Sequence, residues 1–211
     1  MRRLRLLLFA LLSIAGTGVA DARDFDFYVL SLSWSPSWCA ANDRGGATPQ
    51  CDGRRAYTFI AHGLWPQYER GWPEYCPSNE PERVPRALAG TLYDIIPSAG
   101  LAGHEWRKHG SCSGLSQRAY FETVRAAYRK VRLPPGVFDG RIARRLATDE
   151  IETLLTRANP GLDRSGIAIG CENGRLTEIR ICMTKSLTFR ACEEIDRKTC
   201  RMRMINLPAL P

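Results

Sequence analysis

Apolar and polar positions along the chain divide it into segments with two different rhythms. Residues 25–34 are aromatic and aliphatic apart from Asp26, Ser31 and Ser33, and they predict a long first strand. Residues 42–55 are polar and contain glycine, as a surface loop would be. Tyr57-Thr58-Phe59-Ile60-Ala61 predicts a second strand that delivers His62 at its end. Val84, Leu88, Leu92 and Ile95 recur at helical spacing across residues 82–96, until Pro97 stops them. Ser116 is placed to cap a helix carrying Ala119, Val124, Ala127, Tyr128 and Val131 on or near one face, which Pro134-Pro135 ends. Asp149, Ile151 and Glu152 open another short helix with a capping-box pattern. Asn173-Gly174 separates Ile167–Glu172 from Arg175–Met183, the strongest hairpin signal in the chain. Residues 198–207 return to strand. Helices in the middle and strands at both ends predict one α+β domain, a mainly antiparallel central β-sheet packed with several α-helices.

The first residues stand apart from this pattern. Arg2, Arg3 and Arg5 precede an apolar run over 6–15, and Gly16-Thr17-Gly18-Val19-Ala20 supplies small residues ahead of Asp21. That order predicts a secretory signal peptide over 1–20 and a folded domain over 21–211. A membrane anchor is the alternative. The apolar run is shorter than the roughly 20 residues a bilayer needs, and small residues follow where flanking charges would stand. Removing three arginines lowers the net charge of +8 to +5. The remaining excess favours a polyanionic partner such as nucleic acid, with salt-dependent association.

All eight cysteines lie beyond residue 20: Cys39, Cys51, Cys76, Cys112, Cys171, Cys182, Cys192 and Cys200. An even number behind an export signal predicts disulfides and a secreted or periplasmic location. No C-x-x-C pair occurs, so zinc-knuckle spacing is absent. The hairpin bears on connectivity. In a two-residue turn Cys171 faces Leu176, which leaves Cys182 six residues, or about 20 Å, along the partner strand. The hairpin therefore disfavours a Cys171–Cys182 bridge, and the other pairings stay open.

The chain has three histidines, all in two short segments, Ala61-His62-Gly63-Leu64-Trp65-Pro66 and His104-Glu105-Trp106-Arg107-Lys108-His109-Gly110-Ser111-Cys112. If the second segment is helical, His104, Lys108, Glu105 and His109 share one face within an arc of about 140°, and Arg107 points elsewhere. Two histidines, a lysine and a carboxylate on one arc suit the handling of a phosphate. Other readings exist: Glu105 and Lys108 as a surface ion pair, His62 as a structural histidine, or the three histidines as zinc ligands. His-Glu-x-x-x-His is one residue longer than the zincin motif, which argues against the last.

The two segments together resemble the active-site signatures of the ribonuclease T(2) family, secreted metal-independent ribonucleases. The likeness extends to Trp34-Ser35-Pro36 ahead of Cys39, to residues 116–121, and to the cysteine spacing of the last third. It implies an endonuclease that cleaves RNA through a 2′,3′-cyclic phosphate and then hydrolyses it to a 3′-phosphate. On this resemblance His109 is the base and His62 the acid, His104 binds phosphate, and Lys108 with Glu105 stabilises the charge on phosphorus. Trp65 and Trp72 match the base-stacking positions, although core packing is almost as good a reading of Trp65. Gln67 stands where some members carry an aspartate, which leaves base preference open. The implied disulfides are Cys39–Cys51, Cys76–Cys112, Cys171–Cys200 and Cys182–Cys192. No metal or cofactor is implied. RNA is the partner, the chain acts as a monomer, and no membrane association follows signal removal. The rival from another class is a basic protein that binds RNA or other polyanions on the same fold without turnover.

Overall fold

Side-chain alternation in the first strand organises the molecule. In β1 (Phe27–Trp34) Tyr28, Leu30, Leu32 and Trp34 enter the main hydrophobic core, while Phe27, Val29, Ser31 and Ser33 face the other way. β1 pairs antiparallel with β2 (Phe59–Gln67) on one side and β5 (Arg175–Met183) on the other. β5 also pairs antiparallel with β4 (Ile167–Glu172) and meets β6 (Met204–Leu207) through one parallel pair. β6 carries β3 (Arg144–Ala147) at the far edge. This computed structural model describes residues 24–210, and the expected signal peptide lies outside them.

Helices cover the core face of the sheet. Trp106 from α3 (Ala99–Lys108), Tyr120, Phe121, Val124 and Ala127 from α4 (Gln117–Lys130), and Ile151 and Leu155 from α5 (Thr148–Ala158) pack with Leu30, Leu32, Ile179 and Ile181. The expected α+β domain with a mainly antiparallel sheet is therefore found. Ser116 caps α4 as expected, its Oγ accepting from the N–H of Ala119. The hairpin is also as expected, with Cys171 opposite Leu176. Among the described residues no helix is long and apolar enough to cross a membrane.

Three of these local expectations differ from the structure, each for a tertiary reason. The helix expected over 82–96 shrinks to α2 (Arg86–Gly90). Its later carbonyls are engaged elsewhere: Ile95 O accepts from Ala61 N, and Tyr93 O accepts from Arg55 and Tyr57. Its apolar residues still reach the core from turns. The capping box at Asp149 does not form. α5 begins at Thr148, whose N–H donates to Arg203 O and whose hydroxyl donates to Met202 O. The last strand covers only 204–207. Its expected first half instead lies along β4, with Cys200 N donating to Ile169 O and Thr199 Oγ1 accepting from Ile169 N. Finally, Ser35–Asn42 forms an unexpected helix α1 with Pro36 in its first turn, a position where proline is pre-organised.

The four disulfides are Cys39–Cys51, Cys76–Cys112, Cys171–Cys200 and Cys182–Cys192, the pairing the resemblance implies. Cys76–Cys112 spans 36 residues, the longest loop of the four. Closing such a loop removes about 4 kcal/mol of unfolded-chain entropy. The double variant Cys76→Ala/Cys112→Ala is expected to melt roughly 10 °C lower by calorimetry.

Candidate active site

His62 owes its direction to a β-bulge. Ser31 is paired with Gly63 and Leu32 with Ala61, so His62 is the extra residue of β2 with no partner on β1. The bulge changes the phase of the strand. Phe59 and Ala61 enter the core before it, and Leu64 does so after it. His62, Trp65 and Gln67 thereby line one cleft on the opposite side of the sheet. His62 thus stands within the strand rather than at its end, and the bulge supplies the exposure that a strand terminus would have given. Tyr120 fixes the strand just beyond by donating its hydroxyl to Leu64 O at 3.0 Å.

The second segment is helical, as the arc of polar residues required. Ser98 caps α3 by accepting from Leu101 N, and the helix ends at Lys108. His109 leaves helical geometry at φ −120°, ψ −48°, though its N–H still donates to Glu105 O at 3.0 Å. His104, Glu105, Lys108 and His109 all line the cleft, while Arg107 is exposed away from it. Trp72 forms part of the rim, so all eight residues singled out in the sequence share one cleft of about 430 Å³.

Contacts within the cleft are dense. Trp65 Nε1 donates to Glu105 Oε2 at 2.8 Å, and Glu105 is only 1% exposed. The indole of Trp65 stacks near-parallel on the His109 imidazole, with ring centres 5.1 Å apart, and meets His62 edge-on at 5.4 Å. Trp65 also packs against the small second core of Phe27, Val29, Cys182 and Ile195. It therefore does part of what each reading of it required. Gln67 is buried, its amide donating to Pro66 O, whereas Trp72 is half exposed with Lys198 Nζ 5.1 Å from its ring centre.

Electrostatics set the two inner histidines apart. Burial, reinforced by the Lys108, His62 and His104 charges, depresses His109 to about 3, and its Nδ1 has no hydrogen-bond partner among the described residues. His62 moves the other way. Burial acts to lower it, but the hydrogen bond to Glu178 and the charges of Glu105 and Glu178 outweigh that and raise it above the ordinary histidine value. Burial also lifts Glu105 to about 7, and burial with neighbouring Lys108 holds His104 below the usual range. Among the described residues no three His, Cys, Asp or Glu side chains are grouped so as to hold a metal ion.

Sequence reading missed the contribution of the last third. Glu178 and Arg180 alternate with core Ile179 and Ile181 along β5, so both charged side chains fall on the cleft side of the sheet. Glu178 Oε2 lies 3.1 Å from His62 Nδ1, and Arg180 Nε donates to Glu178 Oε1 at 2.5 Å. Ile195 and Lys198 complete the wall beside Trp72. The signal available was a buried-strand pattern interrupted by two opposite charges at i and i+2. Nothing local says what they face.

The chain and its fold both have counterparts among known proteins. A ribonuclease from Aeromonas hydrophila is 41% identical over 133 residues, covering 63% of this chain and 58% of that protein, so the chain spans about three fifths of that relative. Ribonuclease 3 of Arabidopsis thaliana is 28% identical over 206 residues, covering 87% of this chain and 90% of its own length. In structure, an RNase-related protein from Calystegia sepium superposes with a TM-score of 0.69 at 21% identity, covering 89% of this chain and 98% of that one. The profile of the Ribonuclease T2 family matches residues 25–192, which takes in the β2 bulge, α3 and the Glu178 strand. On that match the chain belongs to the Ribonuclease T2 family.

Proposed function

We propose that the cleft is the active site of an exported, metal-independent endoribonuclease that cleaves single-stranded RNA. The observation that carries this reading is the opposite proton preference of His109 and His62 across one cleft. His109 is neutral at any pH above about 3 and is therefore ready to accept a proton. His62 is biased towards the imidazolium and is ready to donate one.

In the first step His109 removes the proton of the ribose 2′-hydroxyl. The 2′-oxygen attacks phosphorus, and the P–O5′ bond breaks as His62 protonates the leaving 5′-oxygen, giving a 2′,3′-cyclic phosphate. In the second step the roles reverse: His62 activates water, and His109 returns its proton to the 2′-oxygen. Lys108 and His104 bind phosphoryl oxygens. Glu105, at about 7, is neutral over the acidic range and can donate its O–H to the same oxygens without repelling them. Trp72, with Trp65 and Gln67 behind it, faces the base. DNA lacks the nucleophile.

The test is incubation of oxidised protein, from residue 21 onward, with RNA and with DNA, with and without chelator. RNA cleavage to cyclic-phosphate ends, indifferent to chelation, is the expected result. Loss of activity on chelation would indicate a metal enzyme, and tight RNA binding without cleavage would indicate a non-catalytic polyanion-binding protein. Export is tested separately, by the N-terminal residue of protein recovered outside the cytoplasm.

A pH profile follows from the same preferences. kcat/KM is expected to rise as His109 loses its proton near pH 3 and to fall as Glu105, at about 7, and His62 lose theirs, which puts the optimum on the acidic side of neutrality. Initial rates on a dinucleotide from about pH 3 to pH 9 measure this. An optimum above about pH 8 would contradict the assignment of base and acid.

A further inference from the structure

The carboxylate of Glu178 is held by three hydrogen-bonding partners. It lies in the middle of β5, buried, opposite Ser33 of β1 on one side and Gly170 of β4 on the other. Its Oε1 accepts from Arg180 Nε at 2.5 Å. Its Oε2 accepts from the Ser31 hydroxyl and stands 3.1 Å from His62 Nδ1. Ser31 comes from β1, so three of the six strands meet at this one carboxylate. A group so held cannot turn away from the imidazole without breaking two other bonds.

We propose that Glu178 is the positioning residue of His62: it holds the Nδ1–H, and so reserves Nε2 for proton exchange with the substrate. A carboxylate bonded to Arg180 and Ser31 is ionised and can only accept, so His62 must carry hydrogen on Nδ1 in its neutral as well as its cationic form. Nε2 is then the only ring nitrogen whose protonation changes. It is the atom that faces the cleft, 3.6 Å from Glu105 Oε1. An unrestrained imidazole would divide its neutral population between two tautomers, one of them carrying its proton on the wrong side.

A plain structural ion pair does not explain this arrangement. Glu178 and Arg180 satisfy one another through Oε1 alone, and Oε2 is left to aim at the histidine. The bulge at His62 and a second bulge opposite Gly170 and Cys171, at Thr177, bring the two partners together from strands that do not pair with each other. The charged and titratable groups that face His62 are Glu178 and Arg180 from β5 and His104, Glu105 and Lys108 from α3, with His109 just beyond. Glu105 lies on the Nε2 side, among the groups that meet the substrate. Glu178 is the one carboxylate placed behind the ring, and the raised His62 proton affinity agrees with its presence there.

This proposal rests on His62 being the proton donor, and its test separates the two ideas. With only three histidines in the chain, ¹⁵N-resolved imidazole titrations can be followed one by one in the unsubstituted protein and in Glu178→Gln. In the unsubstituted protein His62 is expected to keep a protected Nδ1–H and to titrate above His104. In Glu178→Gln, which preserves shape and an acceptor for Arg180, the His62 titration and the alkaline limb of kcat should both move to lower pH. kcat should fall about tenfold or more, with KM changing less than about threefold. A folded Glu178→Gln protein with unchanged His62 titration and unchanged limb would overturn the proposal. Should that variant not fold, the unsubstituted protein decides: a His62 that titrates at or below His104, or lacks the protected Nδ1 proton, overturns it. Absence of RNA cleavage alongside the expected titrations would instead remove the functional reading and leave the pair intact.

Discussion

His109→Ala is expected to lower kcat for RNA cleavage by about a thousandfold, with KM within a few-fold of the unsubstituted protein. Position and proton affinity both single out this residue. His109 is 6% exposed, stacks on Trp65, and its Nδ1 has no hydrogen-bond partner among the described residues. Neither neighbouring histidine can take over. His62 is committed to Glu178, and His104 lies a full helical turn away on the exposed side of α3. The proposed phosphate binding by His104 and Lys108 and the proposed stacking on Trp72 do not depend on the deleted ring, which is why KM is expected to stay near its value. Single-turnover rates on a dinucleotide at about pH 5 report the step directly. A variant within tenfold of the unsubstituted rate would remove His109 as the base.

Gly63→Ala is expected to damage the site almost as badly without touching a titrating group. The position is not one of unusual backbone conformation; it is one of close approach. A β-carbon there would overlap the Glu105 carboxylate and Trp65 Nε1, the two ends of the 2.8 Å hydrogen bond behind the cleft. Glu105 has no solvent to retreat into, so Trp65 and the β2 backbone must shift. A displacement of about 1 Å at a reacting group costs on the order of 100-fold in rate, and over-packing of this kind costs about 1–3 kcal/mol in stability. The measurements are kcat and the melting temperature, which falls about 2–4 °C for each kcal/mol in a chain of this length. Unchanged values for both would mean that the site tolerates a methyl group where the geometry leaves no room.

What could be read from the sequence was whatever repeats locally. The alternation in β1, the Asn173-Gly174 turn with its consequence for Cys171, and the Ser116 cap of α4 are each decided within a few residues. The helical arc from His104 to His109 belongs with them, although His109 turned out to sit one step past the helix end. Glu178 was illegible because its meaning lies 116 residues away in sequence, at His62. Residues 82–96 carried a true apolar rhythm, but it describes turns whose carbonyls bond to β2 and to the segment before it. The bulge was hidden for the same reason. Phe59, Ala61 and Leu64 point into one core only if a residue is looped out between them.

That looped-out residue also determines which genetic changes β2 can absorb. A point substitution at His62 removes one imidazole and leaves the strand in phase. An in-frame deletion of codon 62 or 63 likewise only closes the bulge, with Ala61 and Leu64 still in the core, whereas deletion of codon 64 slips the rest of β2 by one residue against β1. Every side chain beyond that deletion exchanges faces: Trp65 is driven into the core and Pro66 is carried out to the cleft. The same deletion in the loop at 42–55 changes only the length of a surface connection. Across descendants of such a chain, insertions and deletions should collect in the loops and be purged from β2.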